Sequence, residues 1–277
     1  MLLGIFALLS VLSALGTCLG AGAFENLGWL WLLPVSFLGS FLGLAILWFV
    51  LLFVMAKLVK MNRSYETDAP FYRWVIDKTV QAAITLLRVK IHTEGLEKVP
   101  KDGRFLLVCN HLNNVDPALL MWAFPKSQLS FISKRENDTL FLAGAFLRKI
   151  GCQPINREND REALKTILTC IRIIQNDELS IGVFPEGYIH GDNLLHPFRH
   201  GVFKIAQRTG VPIVVCTLRD TQHVLSNAKK LKPSEVTLHL VGVISAEEVR
   251  GQTAVQLSQR AYRLMAEDLG EDLVLPQ

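Results

Sequence analysis

The sequence predicts an α/β fold, a mixed and largely parallel sheet flanked by helices, preceded by an N-terminal two-helix transmembrane hairpin. Three observations carry this expectation. The first 56 residues contain no Lys or Arg and one acid, Glu25. Beyond Val89, short apolar runs alternate with longer helical stretches, the pattern of strands joined by crossover helices. No internal repeat or low-complexity linker breaks that alternation, so it reads as one unit. The chain of 277 residues thus divides into a membrane hairpin over residues 1–63, an amphipathic interfacial connector over 64–88 and an α/β domain over 89–277.

The hairpin rests on length. Met1 to Phe24 is an uncharged stretch of 24 residues and Asn26 to Ala56 one of 31, whereas a bilayer core needs only about 20 apolar residues of helix. A cleaved signal peptide would carry a basic n-region, and Met1 to Phe24 offers only its terminal amine. Two helices buried in a soluble core are the other alternative. Gly4, Gly16, Gly20 and Gly22 on the first segment, with Gly39 and Gly43 on the second, are expected to let the helices approach closely, and Trp29, Trp31 and Trp48 suit interfacial belts. Lys57, Lys60 and Arg63 follow the second span and place that end, and hence the domain, on the cytoplasmic side. The formal net charge of +4 is a mild excess that favours anionic lipid surfaces and phosphorylated substrates and is too small to argue for nucleic acid. Five scattered cysteines without a CxxC pair read as reduced thiols, not as a disulfide framework or a zinc site.

The connector places Phe71, Tyr72, Trp74, Val75, Val80, Ile84 and Leu87 among Asp68, Arg73, Asp77, Lys78 and Arg88, a helix suited either to a membrane face or to packing on the domain. In the domain, strands are expected over residues 89–93, 105–109, 129–133, 180–184, 212–217 and 236–241. Helices are expected over 117–124, 140–149, 160–175, 201–209 and 252–269.

Four polar clusters follow apolar strands, where ligands bind in open α/β sheets. The first is Asn110-His111-Leu112-Asn113-Asn114-Val115-Asp116-Pro117. A carboxylate beside a His fixes its tautomer for work as a general base, although Asp116 before Pro117 is equally a good helix N-cap. The chain has neither GxSxG nor HExxH, so a His-Asp dyad without its own nucleophile points to transfer onto a substrate hydroxyl. Cys109 is an alternative nucleophile, though an interior strand Cys is usually an inert small hydrophobe. The second cluster is Gly151-Cys152-Gln153-Pro154-Ile155-Asn156-Arg157, whose Arg suits a phosphate or a surface ion pair with Glu158 or Asp160. The third, Phe184-Pro185-Glu186-Gly187-Tyr188-Ile189, holds a carboxylate on a turn, to bind a substrate hydroxyl or to anchor neighbouring backbone. The fourth, Pro197 to Gly201, leads to Val211-Pro212-Ile213-Val214-Val215 and puts Arg199 at a helix start suited to anions. His190, His196 and His200 with Asp192 match no metal-ligand spacing and read as solvated loop residues.

Taken in order and spacing, Asn110-His111 with Asp116, Gly151 to Arg157, Phe184 to Gly187 and Val211 to Val214 resemble the four blocks of the glycerolipid acyltransferases, most closely the 1-acylglycerol-3-phosphate acyltransferases. The resemblance implies transfer of a fatty acyl group from a thioester, acyl coenzyme A or acyl carrier protein, to the 2-hydroxyl of 1-acylglycerol 3-phosphate, forming phosphatidate at a membrane, with no further cofactor and no metal. It makes His111 the base, Asp116 its orienter, Arg157 a phosphate ligand, and Glu186 with Gly187 part of the acceptor site. Lys134 resembles a second basic contact. The third block of the family usually continues Thr-Arg, where this chain reads Tyr188-Ile189; Arg199, Lys134 or nothing replaces the missing charge. Another acceptor, such as glycerol 3-phosphate or a different lysophospholipid, an inactive membrane scaffold, and a metal-dependent lipid hydrolase are the competing expectations.

Overall fold

A computed structural model describes residues 1–275. Helices α1 (Leu2–Gly20) and α2 (Trp29–Leu58) form an antiparallel hairpin, and both are long and apolar enough to cross a membrane. The buried face of α1 steps by four residues through Leu2, Phe6, Ser10, Ala14 and Cys18. Phe6 meets Phe41 and Trp48 edge-on at 6.2 and 6.3 Å, and Ser40 donates to Ser13 across the pair at 2.8 Å. The glycines do not make this contact: a Cβ placed at Gly4, Gly16, Gly20, Gly39 or Gly43 would meet nothing within 4 Å. Close approach comes instead from Ser10, Ala14 and Cys18, because the four-residue step through Leu2 and Phe6 turns the glycines outward.

Helix α3 (Pro70–Leu86) starts with Pro at its first turn, where no donor is lost. It packs both ways. Val75 is fully buried beside Met55 and Phe146, Tyr72 donates to the Met55 carbonyl at 3.1 Å, and Trp48 Nε1 donates to Thr79 at 3.2 Å. Phe71 and Trp74 stack on each other at 6.1 Å and stay exposed. One face of the helix thus packs on α2 and the domain, while Phe71 and Trp74 lie on the exposed face.

The domain is a seven-stranded sheet of β1 (Val89–Glu94), β2 (Leu106–Cys109), β3 (Leu129–Lys134), β4 (Gln153–Ile155), β5 (Ser180–Val183), β6 (Ile213–Arg219) and β7 (Ser234–Ile244), in the order β1-β7-β6-β2-β5-β3-β4. Every pairing is parallel except β6 with β7, so the sheet is mixed and largely parallel. Around it lie α4 (Asp116–Ala123), α5 (Ala143–Lys149), α6 (Asp160–Gln175), α7 (Lys204–Thr209), α8 (Val224–Lys229), α9 (Ala246–Arg250) and α10 (Ala254–Leu269). Both faces are covered, and the alternation along β2 shows it: Leu106 and Val108 enter the core beneath α6 and α10, while Leu107 and Cys109 enter the core beneath α4.

The structure departs from the expected strands and helices in several places. Strand β4 was not foreseen, because a three-residue strand containing Pro154 has no apolar run to read; Pro is tolerated there because β4 is an edge strand. Strand β7 extends past residues 236–241 at both ends. The helix expected from residue 140 begins at Ala143, since Leu142 has φ 57. The helix expected from Gly201 opens with a tight 3₁₀ turn before α7, and α8 and α9 went unread because they are six and five residues long.

Candidate active site

Strands β2, β5, β3 and β4 are neighbours and parallel, so their carboxyl ends open on one side of the sheet. His111 follows β2, Glu186 and Gly187 follow β5, Lys134 ends β3 and Arg157 follows β4. Topology thus gathers residues from positions 111 to 187 at one edge.

The carboxamide of Asn110 grips the backbone of Leu218, donating to its carbonyl at 2.9 Å and accepting from its N–H at 2.7 Å. That pair continues the β2–β6 ladder by one side chain and fixes the direction in which the chain delivers His111. The His111 imidazole Nδ1 lies 2.8 Å from Asp116 Oδ2, and its ring stacks on Phe184 at 4.0 Å. Asp116 is fully buried, and the same oxygen accepts from the N–H groups of Leu112 at 2.7 Å and Asn113 at 2.8 Å. Asp116 is the first residue of α4 and caps nothing; its carboxylate turns back into the 111–113 loop instead. With Nδ1 committed to a carboxylate, Nε2 is left as the basic nitrogen toward the cavity that His111 lines.

Glu186 is buried and lies behind the cavity wall. Its Oε1 accepts from the His111 backbone N–H and its Oε2 from the His196 backbone N–H, each at 2.9 Å. Burial outweighs these two hydrogen bonds and pushes its carboxyl up to about 7. Of the two roles open to this carboxylate, the geometry gives it the anchoring of backbone. Gly187 takes φ 86, and a Cβ there would come within 3.0 Å of Arg199 Nε. The turn therefore needs glycine for conformation and for the close passage of Arg199, whose N–H donates to the Pro185 carbonyl at 2.8 Å.

The cavity measures about 720 Å³. His111, Lys134, Arg157 and Arg199 line its polar part, and Ile132, Leu147, Ile155, Ile167 and Val202 line much of the rest. Arg157 and Arg199 lie 4.9 and 5.2 Å from the centre of the Tyr188 ring, while Lys134 pairs with Glu136 at 3.4 Å. Ile189, at the position where the family has Arg, also lines the cavity. A space with the carboxylate-paired imidazole of His111, several cations and an apolar remainder fits a molecule with an anionic head and a hydrocarbon tail.

Cys109 is fully buried, and burial pushes its thiol well above the ordinary value, so it offers little thiolate to an acyl donor. The rings of His190 and His196 stack face to face at 3.5 Å, and His196 Nε2 meets Asp192 at 2.8 Å; His200 lines the cavity instead.

A family model described as Acyltransferase matches residues 90–219, which contain all of these groups. This part of the chain is similar to the acyltransferase family. Curated relatives include a 1-acyl-sn-glycerol-3-phosphate acyltransferase of Cocos nucifera, 28% identical over 61% of this chain and 54% of its own. A probable enzyme of the same description from Mycoplasma pneumoniae is 28% identical over 68% of this chain and 72% of its own. The chain thus spans about half the length of the coconut relative. Among solved structures, the acyltransferase PlsC of Thermotoga maritima superposes with a TM-score of 0.62 at 20% identity, covering 83% of this chain and 90% of that one, a likeness of fold.

The site also uses residues to which the sequence assigned no role. Asn110 aims the base, Phe184 supports its ring and Tyr188 lies against both arginines. Asn110 and Phe184 directly follow strand ends and Tyr188 lies on the loop after β5, which is the signal that was available. Their partners, Leu218 and Arg199, come from distant parts of the chain, and local sequence does not reveal such pairings.

Proposed function

We propose that this protein is a membrane-bound 1-acylglycerol-3-phosphate acyltransferase, transferring a fatty acyl group from a thioester to the 2-hydroxyl of its acceptor and producing phosphatidate. The observation that carries the reading is the His111–Asp116 contact of 2.8 Å at the wall of a cavity lined by Arg157 and Arg199. His111 Nε2 takes the hydroxyl proton while that oxygen attacks the thioester carbonyl, and Asp116 stabilises the imidazolium that forms. The tetrahedral adduct expels the thiolate, which recovers the proton from His111, leaving an ester and a free thiol. Arg157, Arg199 and Lys134 hold the acceptor phosphate and align the hydroxyl. The donor is acyl coenzyme A or acyl carrier protein. Lys57 in the last turn of α2, with Lys60 and Arg63 beyond it, supports a cytoplasmic domain.

Ile189 favours a second reading in which the acceptor is glycerol 3-phosphate or a lysophospholipid with a larger head, since one expected cation is absent. One assay separates these: purified protein in detergent, given labelled acyl coenzyme A or acyl carrier protein with a panel of acceptors, beside His111→Ala. The variant is expected to lose about 100-fold or more in kcat. Undiminished turnover by His111→Ala removes the base and the mechanism with it.

A further inference from the structure

Two guanidinium groups on one side of a cavity repel each other, and a protein normally separates them or gives each a carboxylate. Arg157 and Arg199 line the same cavity and have no carboxylate partner among the described residues. The acid near Arg157, Glu136, is paired with Lys134 at 3.4 Å. What the two share is an aromatic ring: Arg157 lies 4.9 Å and Arg199 5.2 Å from the centre of Tyr188. The negative face of an aromatic ring attracts a cation at such distances and offsets part of the repulsion. Gly187 completes the arrangement, since Arg199 passes where a side chain at 187 would stand. Burial lowers the Arg157 pKa, and Arg199 lowers it further, as expected for cations held close without a neutralising acid.

We propose that Tyr188 is a positioning residue that gathers Arg157 and Arg199 into one dication site for a phosphate monoester. The ring takes over what the missing arginine at Ile189 would supply: it holds two existing guanidiniums ready for the anion and adds no charge of its own. Two forks of N–H donors suit a monoester, which presents three terminal oxygens and close to two negative charges, better than a diester with two oxygens and one charge. The role in acyl transfer rests on the proposed function, whereas the anion site itself does not.

The test uses the full chain in detergent with Tyr188→Leu and Tyr188→Phe. Tyr188 is about two-fifths exposed, so both substitutions leave the fold intact, which thermal unfolding checks. Two quantities are read: the dissociation constant of inorganic phosphate by calorimetry, and KM and kcat with 1-acylglycerol 3-phosphate. Tyr188→Leu, similar in bulk but without a π face, is expected to raise both the phosphate dissociation constant and KM about 10-fold with kcat within about two-fold. Tyr188→Phe is expected to restore both to within about two-fold of the parent. Unchanged phosphate binding in Tyr188→Leu overturns the proposal, as does a Phe variant as weak as the Leu variant. If the parent transfers acyl groups to no acceptor while phosphate binding still weakens in Tyr188→Leu, the proposed function falls and the dication site stands. If transfer proceeds and neither quantity moves, the reverse holds.

Discussion

Glu186 acts on the base without touching substrate. One carboxylate bridges two backbone N–H groups, of His111 and His196, and so ties the loop after β2 to the loop after β5. The ionised form suits this bridge, yet burial raises the carboxyl from 4.5 to about 7. Between those values the folded protein holds a proton that the unfolded chain has lost. The stability contributed by this group is therefore fully present below about pH 4.5 and is lost as pH rises through about 7. Glu186→Gln removes the titration and leaves one N–H facing an amide. Thermal unfolding from pH 5 to 8 is expected to show the parent losing midpoint temperature relative to this variant as pH rises; parallel curves would refute the assignment. At fixed pH the variant is expected to transfer acyl groups about 10-fold more slowly, because an unpaired buried donor costs about 1–3 kcal/mol and loosens the loop that aims His111. Much of the site was legible at this scale, since His111 and Asp116 stand on one short loop where spacing alone brings them near. What Glu186 binds was not legible, because its partners are backbone groups of residues 75 and 10 positions away.

Strands buried on both faces and helices of several turns are legible in the sequence, whereas β4, α8 and α9, of three, six and five residues, are not. Strands β2 and β5 are buried on both faces and so appear as continuous apolar runs. The reversed direction of β1 and β7 left no trace in sequence, because pairing sense depends on connections and not on composition. Helix α3 carries the most telling case, Arg73, which sits among apolar neighbours and looks like a surface charge. It is buried: Nε contacts Asp68 Oδ1 at 2.6 Å, and the two terminal nitrogens donate to the carbonyls of Leu129 at 2.9 Å and Ile150 at 3.2 Å. One guanidinium thereby fastens α3 to the start of β3 and the end of α5. Arg73→Met would strand a buried carboxylate and two carbonyls, and is expected to cost about 3–5 kcal/mol in denaturant unfolding. Adding Asp68→Asn should recover part of that loss by removing the unpaired charge. A single variant as stable as the parent would show that the clamp contributes nothing.

Across the whole molecule, the hairpin and the domain share a core. Helix α2 has 30 residues against 19 in α1, and its last turns are where the difference is used. Residues 29–47 already extend about 28 Å, close to the thickness of a bilayer core, and from Trp48 onward the helix docks on the domain. Met55 packs with Val75 and Phe146, and Trp48, Leu51, Leu52 and Ala56 close around them. Lys57 follows in the last turn, on the part of the helix beyond that span. Cutting the chain within α2 therefore has unequal consequences on the two sides of Trp48. A chain beginning at residue 47 keeps the shared cluster, while one beginning at residue 60 exposes Val75 and Phe146. Each buried side chain of this size contributes about 1.5–3 kcal/mol, and losing two such contacts lowers the melting temperature of a domain this large by roughly 10 °C. Thermal unfolding of both truncations in the same detergent measures the difference. Equal midpoints would mean that the hairpin only tethers the domain; a lower midpoint for the shorter chain would mean that the membrane helix also helps to build the wall behind the active site.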